Sequence, residues 1–170
     1  MKLSPIVSSL IAVSLLIAST HPVDAQKKRP AGVASLLEMS CQPVSGGQYV
    51  ARNQDISVGF EIFRAVGVVG GITENSISQS VCRLAQAKEK PKYKTLTLAF
   101  GMSDGEAKND SKIRLSLYKD GKAYDYKDVT KGEKLLWQID VTGTRSLAVE
   151  IECIRGGSCP YLYFFEDTLK

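Results

Sequence analysis

Residues 118–169 combine short alternating segments with well-signalled turns, and this pattern constrains the fold more than any other feature of the chain. The Asp120-Gly121 pair predicts a tight hairpin, because such turns require positive φ angles that glycine adopts without strain. Thr142-Gly143 marks a second reversal, and residues 155–158 (RGGS) mark a third. The stretch therefore predicts a series of strands joined by short connections.

Apolar and polar side chains alternate in several segments, with the period of a strand that has one face in a core. Residues 95–102 (TLTLAFGM) show the alternation most clearly, and residues 113–117 (IRLSL) and 147–151 (LAVEI) repeat it. Residues 58–62 (VGFEI) alternate in the same way and predict one further strand. Many short strands without a long helix predict an all-β fold, an antiparallel β-sandwich, and disfavour a parallel α/β fold.

Residues 1–25 have the pattern of a secretory signal peptide. A positive Lys2 precedes an apolar run over residues 6–18 that only serines interrupt, and small residues lead up to Gln26. The run is too short to span a bilayer as a helix, although a retained anchor is the alternative. We expect a secreted or periplasmic protein that does not span the membrane after cleavage. Its predicted parts are residues 26–50, an N-terminal extension tied by a disulfide, and residues 51–170, the β-sandwich domain.

The four cysteines are an even number in a chain predicted to be exported, which indicates two disulfides. Four cysteines allow three pairings, and we favour Cys41–Cys82 and Cys153–Cys159. The second pair flanks a loop of five residues, whose ends can approach within bridging distance. A zinc site is disfavoured, because the chain has no Cys-x-x-Cys and its one histidine, His21, lies in the predicted signal peptide.

Residues 103–111 (SDGEAKNDS) form a polar loop rich in oxygen-bearing side chains. Asp104, Glu106, Asn109 and Asp110 lie within seven residues. Carboxylate and amide oxygens bind hard cations and also bond to sugar hydroxyls. The loop is therefore a candidate ligand site, with a calcium ion predicted at Asp104, Glu106 and Asp110, and a plain solvated loop as the alternative.

Aromatic side chains are the other candidates for ligand contact. Tyr124 and Tyr126 follow the Asp120-Gly121 turn and are expected to be exposed, so we rank them as stacking residues. Trp137 is in phase with the apolar residues of its strand and is expected in the core. Glu166-Asp167 is expected either at a solvated strand end or in contact with a ligand or metal.

The residue types in the chain limit the catalytic chemistry that it can perform. Without His21 the chain has no Ser-His-Asp or Cys-His apparatus, so no catalytic residue is predicted. Carboxylate catalysis stays open as an alternative, although Glu150 and Glu152 are explained by an outward strand face. The formal net charge is +4, with both signs interspersed, which does not indicate a nucleic-acid partner.

Four segments resemble the NPCBM-type carbohydrate-binding modules in the same order. They are residues 92–104 (KYKTLTLAFGMSD), 113–121 (IRLSLYKDG), 137–147 (WQIDVTGTRSL) and 166–169 (EDTL). The similarity covers about residues 81–170. It implies a galactose-binding-like β-sandwich, a jelly roll that binds sugars through loops at one end.

Together these observations predict an exported, non-catalytic module that binds cell-surface or extracellular polysaccharide. The alternative is a structural or adaptor protein of the bacterial envelope that binds a protein partner.

Overall fold

The computed structural model describes residues 30–47, 49–70, 72–73, 76–156 and 158–170. The predicted signal peptide, residues 1–25, lies outside the described residues. Within the described part of the chain, no helix is long and apolar enough to cross a membrane.

Thirteen strands and one short 3-10 helix, Leu36–Glu38, make up the regular structure of the described residues. The strands are β1 Ala34–Ser35, β2 Ser40–Ser45, β3 Val50–Val58, β4 Glu61–Val69, β5 Ile72–Thr73, β6 Ile77–Arg83, β7 Thr95–Met102, β8 Lys112–Lys119, β9 Lys122–Thr130, β10 Lys134–Asp140, β11 Ser146–Arg155, β12 Ser158–Cys159 and β13 Leu162–Leu169.

Two antiparallel sheets carry most of these strands. A six-stranded sheet has the order β10-β7-β13-β4-β3, with β1 pairing the far end of β13, and a five-stranded sheet has the order β2-β6-β11-β8-β9. A small third sheet pairs β12 with β5. The predicted antiparallel β-sandwich is confirmed.

The core lies between the two large sheets and is built from the predicted alternation. In β7, Leu96, Leu98 and Phe100 are fully buried, and β8 and β11 contribute Leu115 and Ile151 in the same way. Trp137 is also buried in this cluster, as predicted from its phase. The two inward faces therefore supply the apolar burial that stabilises the fold.

The Asp120-Gly121 turn has the predicted geometry. Both residues have positive φ angles, 49° and 79°, as a primed two-residue turn between twisted strands requires. The predicted strand through residues 58–62 is wrong, because the chain reverses at Gly59 and Phe60 and divides it between β3 and β4. Phe60 has a φ of 68° and is fully exposed at the tip of this hairpin.

Both predicted disulfides are confirmed. Cys41 and Cys82 are direct cross-strand partners on β2 and β6, and a disulfide joins them. Cys153 and Cys159 close the loop after β11, with their Cα atoms 5.5 Å apart. The segment before residue 50 thus supplies β1 and β2 to the two large sheets.

Asp167 is buried, which corrects the expectation of a solvated strand end or a ligand contact. Its Oδ2 accepts hydrogen bonds from the Ser35 hydroxyl, from Leu37 N at 3.1 Å and from Tyr49 OH at 3.1 Å. Burial and the nearby carboxylate raise the pKa of Tyr49 well above its ordinary value. Asp167 therefore ties the N-terminal segment to the central strand β13.

Candidate functional site

The outer face of the five-stranded sheet carries a polar row that crosses the strands. Register places Gln79 of β6 opposite Glu150 of β11, Glu150 opposite Ser116 of β8, and Ser116 opposite Tyr126 of β9. Residues that are direct partners across antiparallel strands point to the same face of the sheet. The period-2 pattern that buries the large apolar residues of β8 and β11 therefore turns this set outward.

Glu150 is held in place from both sides. Gln79 Nε2 donates to its Oε2 at 2.9 Å, and Tyr118 OH donates to its Oε1 at 2.8 Å. The hydrogen bond to Glu150, together with partial burial, raises the pKa of Tyr118 above its ordinary value. Since an ionised carboxylate has about four acceptor positions, Glu150 retains acceptor capacity after these two bonds.

Tyr126 ends this row on β9, and Tyr124 lies two residues before it on the same strand. Both aromatic rings are half-exposed. Their exposed fractions are 41% and 51%. The Arg114 guanidinium carbon stacks 4.1 Å from the Tyr126 ring centroid, and Lys119 Nζ lies 3.7 Å from that of Tyr124. Cations at these distances hold the aromatic rings in place.

Arg114 is itself anchored at the border of the site. Its Nε and Nη2 donate to the two carboxylate oxygens of Asp128 at 2.7 and 3.0 Å, and Lys112 Nζ adds an ion pair at 2.8 Å. The hydrogen bond from Arg114, reinforced by Lys112, lowers the pKa of Asp128 to about 2. A bidentate pair of this kind fixes the orientation of the guanidinium.

An open groove of about 400 Å³ is lined by part of this set, namely Arg114, Tyr118, Tyr124, Tyr126 and Glu150. Its walls include three tyrosine rings, three carboxylates, of which Glu150 is fixed by hydrogen bonds, and an arginine. Flat amphipathic rings beside fixed hydrogen-bond acceptors suit a ligand with apolar C–H faces and hydroxyl edges. A sugar ring has this combination.

The predicted acidic loop, residues 103–111, lies outside this groove, and its first carboxylate, Asp104, is hydrogen-bonded within the protein. Asp104 accepts hydrogen bonds from Ser57 Oγ at 2.7 Å, Gly59 N at 3.0 Å and Phe60 N at 3.1 Å. The bond from Ser57 and the backbone N–H groups lower the pKa of Asp104. Asp104 therefore holds the turn between β3 and β4.

The other loop residues point to different partners. Glu106 accepts from Tyr163 OH at 2.8 Å, and burial with this bond raises the pKa of Tyr163 to about 12. Asn109 accepts from Lys131 Nζ at 3.3 Å, and Asp110 is exposed. Among the described residues, no three His, Cys, Asp or Glu side chains group as a metal site requires. The structure does not bring Asp104, Glu106 and Asp110 together, and the calcium site stays a prediction.

The acidic loop and the tyrosines also lie at different ends of the sandwich. The loop precedes Lys112 at the start of β8, whereas Tyr124 lies near the turn that follows Lys119 at its end. At about 3.4 Å per residue, the length of β8 separates them by roughly 20 Å. They cannot contact one compact ligand together.

Known structures share this architecture. The CBM51 module from Clostridium perfringens GH95, solved in complex with methyl-galactose, superposes with a TM-score of 0.60 at 14% identity, covering 81% of this chain and 99% of that chain. The chain has the fold of the CBM51 modules. The tandem CBM51 modules of Sp3GH98, the family 98 glycoside hydrolase from Streptococcus pneumoniae SP3-BS71, superpose with a TM-score of 0.60 at 10% identity, covering 81% of this chain and 47% of that chain. The structure of CBM51-2 in complex with GlcNAc and INT domains, from Clostridium perfringens ZmpB, superposes with a TM-score of 0.60 at 11% identity, covering 81% of this chain and 31% of that chain.

The comparisons with protein families and with curated proteins find no match. At identities of 10–14% the structural similarity establishes the fold alone. The resemblance of residues 81–170 to NPCBM-type modules therefore stays a prediction.

The sequence pattern indicates Tyr124 and Tyr126 but not the polar residues near them. It explains Glu150 as an ordinary outward residue, and no local pattern singles out Tyr118 or Gln79. Glu150 lies 71 residues from Gln79 and 32 from Tyr118 along the chain. Only a correct strand order and register could have brought the three side chains together.

Proposed function

We propose that this chain is an exported, non-catalytic carbohydrate-binding protein whose ligand lies on the outer face of the five-stranded sheet. The observation that carries the proposal is the groove in which half-exposed Tyr124 and Tyr126 lie beside Glu150, a carboxylate held by Tyr118 and Gln79. The proposed ligand is a cell-surface or extracellular polysaccharide.

The chemistry of the groove supports this class of ligand. A tyrosine ring packs against the C–H face of a pyranose and buries apolar surface, while the fixed carboxylate accepts from hydroxyl groups at the ring edge. Because Glu150 is oriented before binding, little side-chain entropy is lost when a hydroxyl docks. The groove is open, which permits a polymer to extend beyond it.

Further features agree with an exported binding protein. Two disulfides are typical of proteins that fold outside the reducing cytosol, and residues 1–25 have a signal-peptide pattern. The sandwich has the fold of the CBM51 modules, two of which were solved with methyl-galactose or GlcNAc. Glu150 is engaged by Tyr118 and Gln79, which favours a binding role for this carboxylate over a catalytic one.

Affinity electrophoresis through gels that contain single polysaccharides tests the proposal. The purified protein is expected to be retarded by at least one polysaccharide, and Tyr126→Ala is expected to weaken that binding about tenfold, because it removes the central stacking ring. Glu150→Gln is expected to weaken it as well, since a neutral amide accepts a weaker hydrogen bond.

Tyr161→Ala is the matched control, because Tyr161 is as exposed as Tyr124 (41%) but lies outside the groove. It is expected to bind like the wild type. If no neutral or acidic polysaccharide retards the protein, and one envelope protein is recovered reproducibly by pull-down, the adaptor role replaces the carbohydrate-binding role. Release of reducing ends from a bound polysaccharide would overturn the non-catalytic role.

A further inference from the structure

A second, larger groove opens on the same sheet face, toward β2 and β6. It has a volume of about 740 Å³ and is called the arginine groove, because Arg83 and Arg145 line it together with Gln42, Val81 and Gln86. The described residues that line it include neither Asp nor Glu. The groove at Tyr124 and Tyr126, called the tyrosine groove, is in contrast lined by three carboxylates, Asp125, Glu150 and Glu152.

Arg145 is held in this groove by hydrogen bonds to neutral acceptors, which do not neutralise its positive charge. Its Nη2 donates to the backbone carbonyls of Gln86 and Ala87, which are neutral groups. Its own backbone carbonyl accepts from Leu84 N and Ala85 N at 2.8 and 3.2 Å. The guanidinium is thus positioned in advance by the loop that follows β6.

Arg83 is the second arginine that lines this groove. It is exposed at the end of β6, where register places it between Ser40 of β2 and Ser146 of β11. Its described side-chain bond is a long one, 3.4 Å to Gln86 Oε1. A guanidinium presents five donors in a planar fork, so most of the donors of Arg83 remain for a ligand.

Two carboxylates near the groove, Asp120 and Glu89, accept hydrogen bonds from the backbone. Asp120 Oδ1 accepts from Arg145 N at 3.0 Å and from Ser146 N at 2.8 Å. Glu89 Oε2 accepts from Gln86 N at 3.3 Å. Neither side chain lines the groove itself, whose charged lining residues are two arginines. Glu38 and Glu89 line the adjoining pocket that shares Arg83.

One row of outward side chains connects the arginine groove to the tyrosine groove. Register aligns Gln42, Val81, Ala148 and Tyr118 in one row across β2, β6, β11 and β8. The middle side chains, Val81 and Ala148, are small or medium-sized, and none of the four side chains in this row is charged. With strands about 4.8 Å apart, the face spans roughly 19 Å from β2 to β9. That width accommodates several sugar units of an extended chain.

We propose that the ligand is an acidic polysaccharide that lies across the strands, with an uncharged sugar ring against Tyr124 and Tyr126 and an anionic substituent at Arg83 and Arg145. The ring at the tyrosines is uncharged because three carboxylates line that groove. This inference rests on the proposed function and specifies its ligand class. Arginine pairs with planar carboxylates and with sulfate oxygens through the same fork of N–H donors. The anionic group is therefore a uronate carboxylate or a sulfate ester.

Two pairs of polymers distinguish these sources of charge. Partly methyl-esterified polygalacturonate is compared with its fully methyl-esterified form, and sparsely sulfated dextran with dextran, in the same affinity gels, so that each acidic polymer also has uncharged rings. The wild type is expected to bind the acidic member of at least one pair about tenfold more tightly than the neutral member. A preference confined to the first pair identifies a carboxylate, and one confined to the second identifies a sulfate.

Arg83→Gln is the decisive variant, because Arg83 is exposed and its loss leaves the Arg145 scaffold intact. It is expected to lower affinity for the acidic polymer about tenfold and leave affinity for the neutral polymer unchanged. Arg52→Gln is the matched control, since Arg52 is an exposed arginine on β3 of the other sheet and its removal changes the net charge equally. Equal losses for the two variants would show a general charge effect and overturn the arginine site.

The outcomes separate this inference from the proposed function. If the wild type binds acidic and neutral polymers equally and Tyr126→Ala weakens both, the arginine groove is not a ligand site and the carbohydrate-binding proposal stands. If the protein is not retarded by any of the four polymers or by any other polysaccharide, both proposals fail.

Discussion

Asp167 is expected to be the most costly buried polar residue to replace, because three donors converge on one of its oxygens. Replacement by alanine leaves the hydroxyls of Ser35 and Tyr49 without this acceptor, whereas Leu37 N keeps a bond to Ser35 Oγ at 3.1 Å. A buried donor without a partner costs about 1–3 kcal/mol. Two such donors give an expected loss of about 4 kcal/mol, a large part of the stability of a domain of this size.

Asp167→Asn separates the geometry of the acceptor from its charge. An asparagine can place a carbonyl oxygen at the same point and satisfy the same donors, so we expect a loss of only about 1 kcal/mol. Tyr49→Phe removes one donor, and its double-mutant cycle with Asp167→Ala is expected to show a coupling of at least about 1 kcal/mol.

Urea unfolding with both disulfides intact measures these losses, with the fluorescence of the buried Trp137 as the probe. Glu166→Ala is the neighbouring control, because Glu166 is only partly buried on the same strand. A loss for Asp167→Ala equal to that of the control would refute the reasoning. So would additivity of the Tyr49 and Asp167 effects within about 0.5 kcal/mol.

Three further predictions concern the turns, the charges and a disulfide. The stabilisation from Asp128, whose pKa is lowered to about 2, is complete above the ordinary value of 3.8 and is lost as the pH falls. Urea unfolding should show the advantage of wild type over Asp128→Asn shrinking by about 1 kcal/mol between pH 4 and pH 2, after allowance for solvent screening; a constant difference contradicts this. Asp104→Ala should loosen the β3–β4 turn and speed chymotrypsin cleavage after the exposed Phe60, and an unchanged cleavage rate would contradict the role of the carboxylate as a cap. Replacing Cys153 and Cys159 by serine should lower the free energy of unfolding by about 2 kcal/mol, as expected for a short loop, and a thermal midpoint equal to wild type would show that the bridge adds no stability.

The candidate site was only partly predictable. The position of Tyr124 and Tyr126 after a tight turn indicated exposure, which is a local property and was correct. The loop residues Asp104 and Glu106 were equally suggestive as ligand residues, yet the fold commits them to a hairpin turn and to Tyr163. Nothing local in the chain distinguishes a carboxylate that caps a neighbouring hairpin from one that faces a ligand.

The sequence by itself determined the fold class, the sides of the strands and the turn at Asp120-Gly121. These follow from local physical chemistry, because side chains alternate along any strand and a positive φ angle favours glycine. It also favoured the correct disulfides among the three pairings that four cysteines allow, because Cys153 and Cys159 flank a loop of only five residues.

Only the tertiary structure decided which outward side chains meet. Strand order and register place Gln79 and Tyr118 on Glu150, and they align the arginine groove with the tyrosine groove on one face. They also bury Asp167 beneath a segment more than a hundred residues earlier in the chain. The choice of strand partners depends on the packing of the whole core and on irregularities such as the bulge beside Tyr118, so no local pattern encodes it.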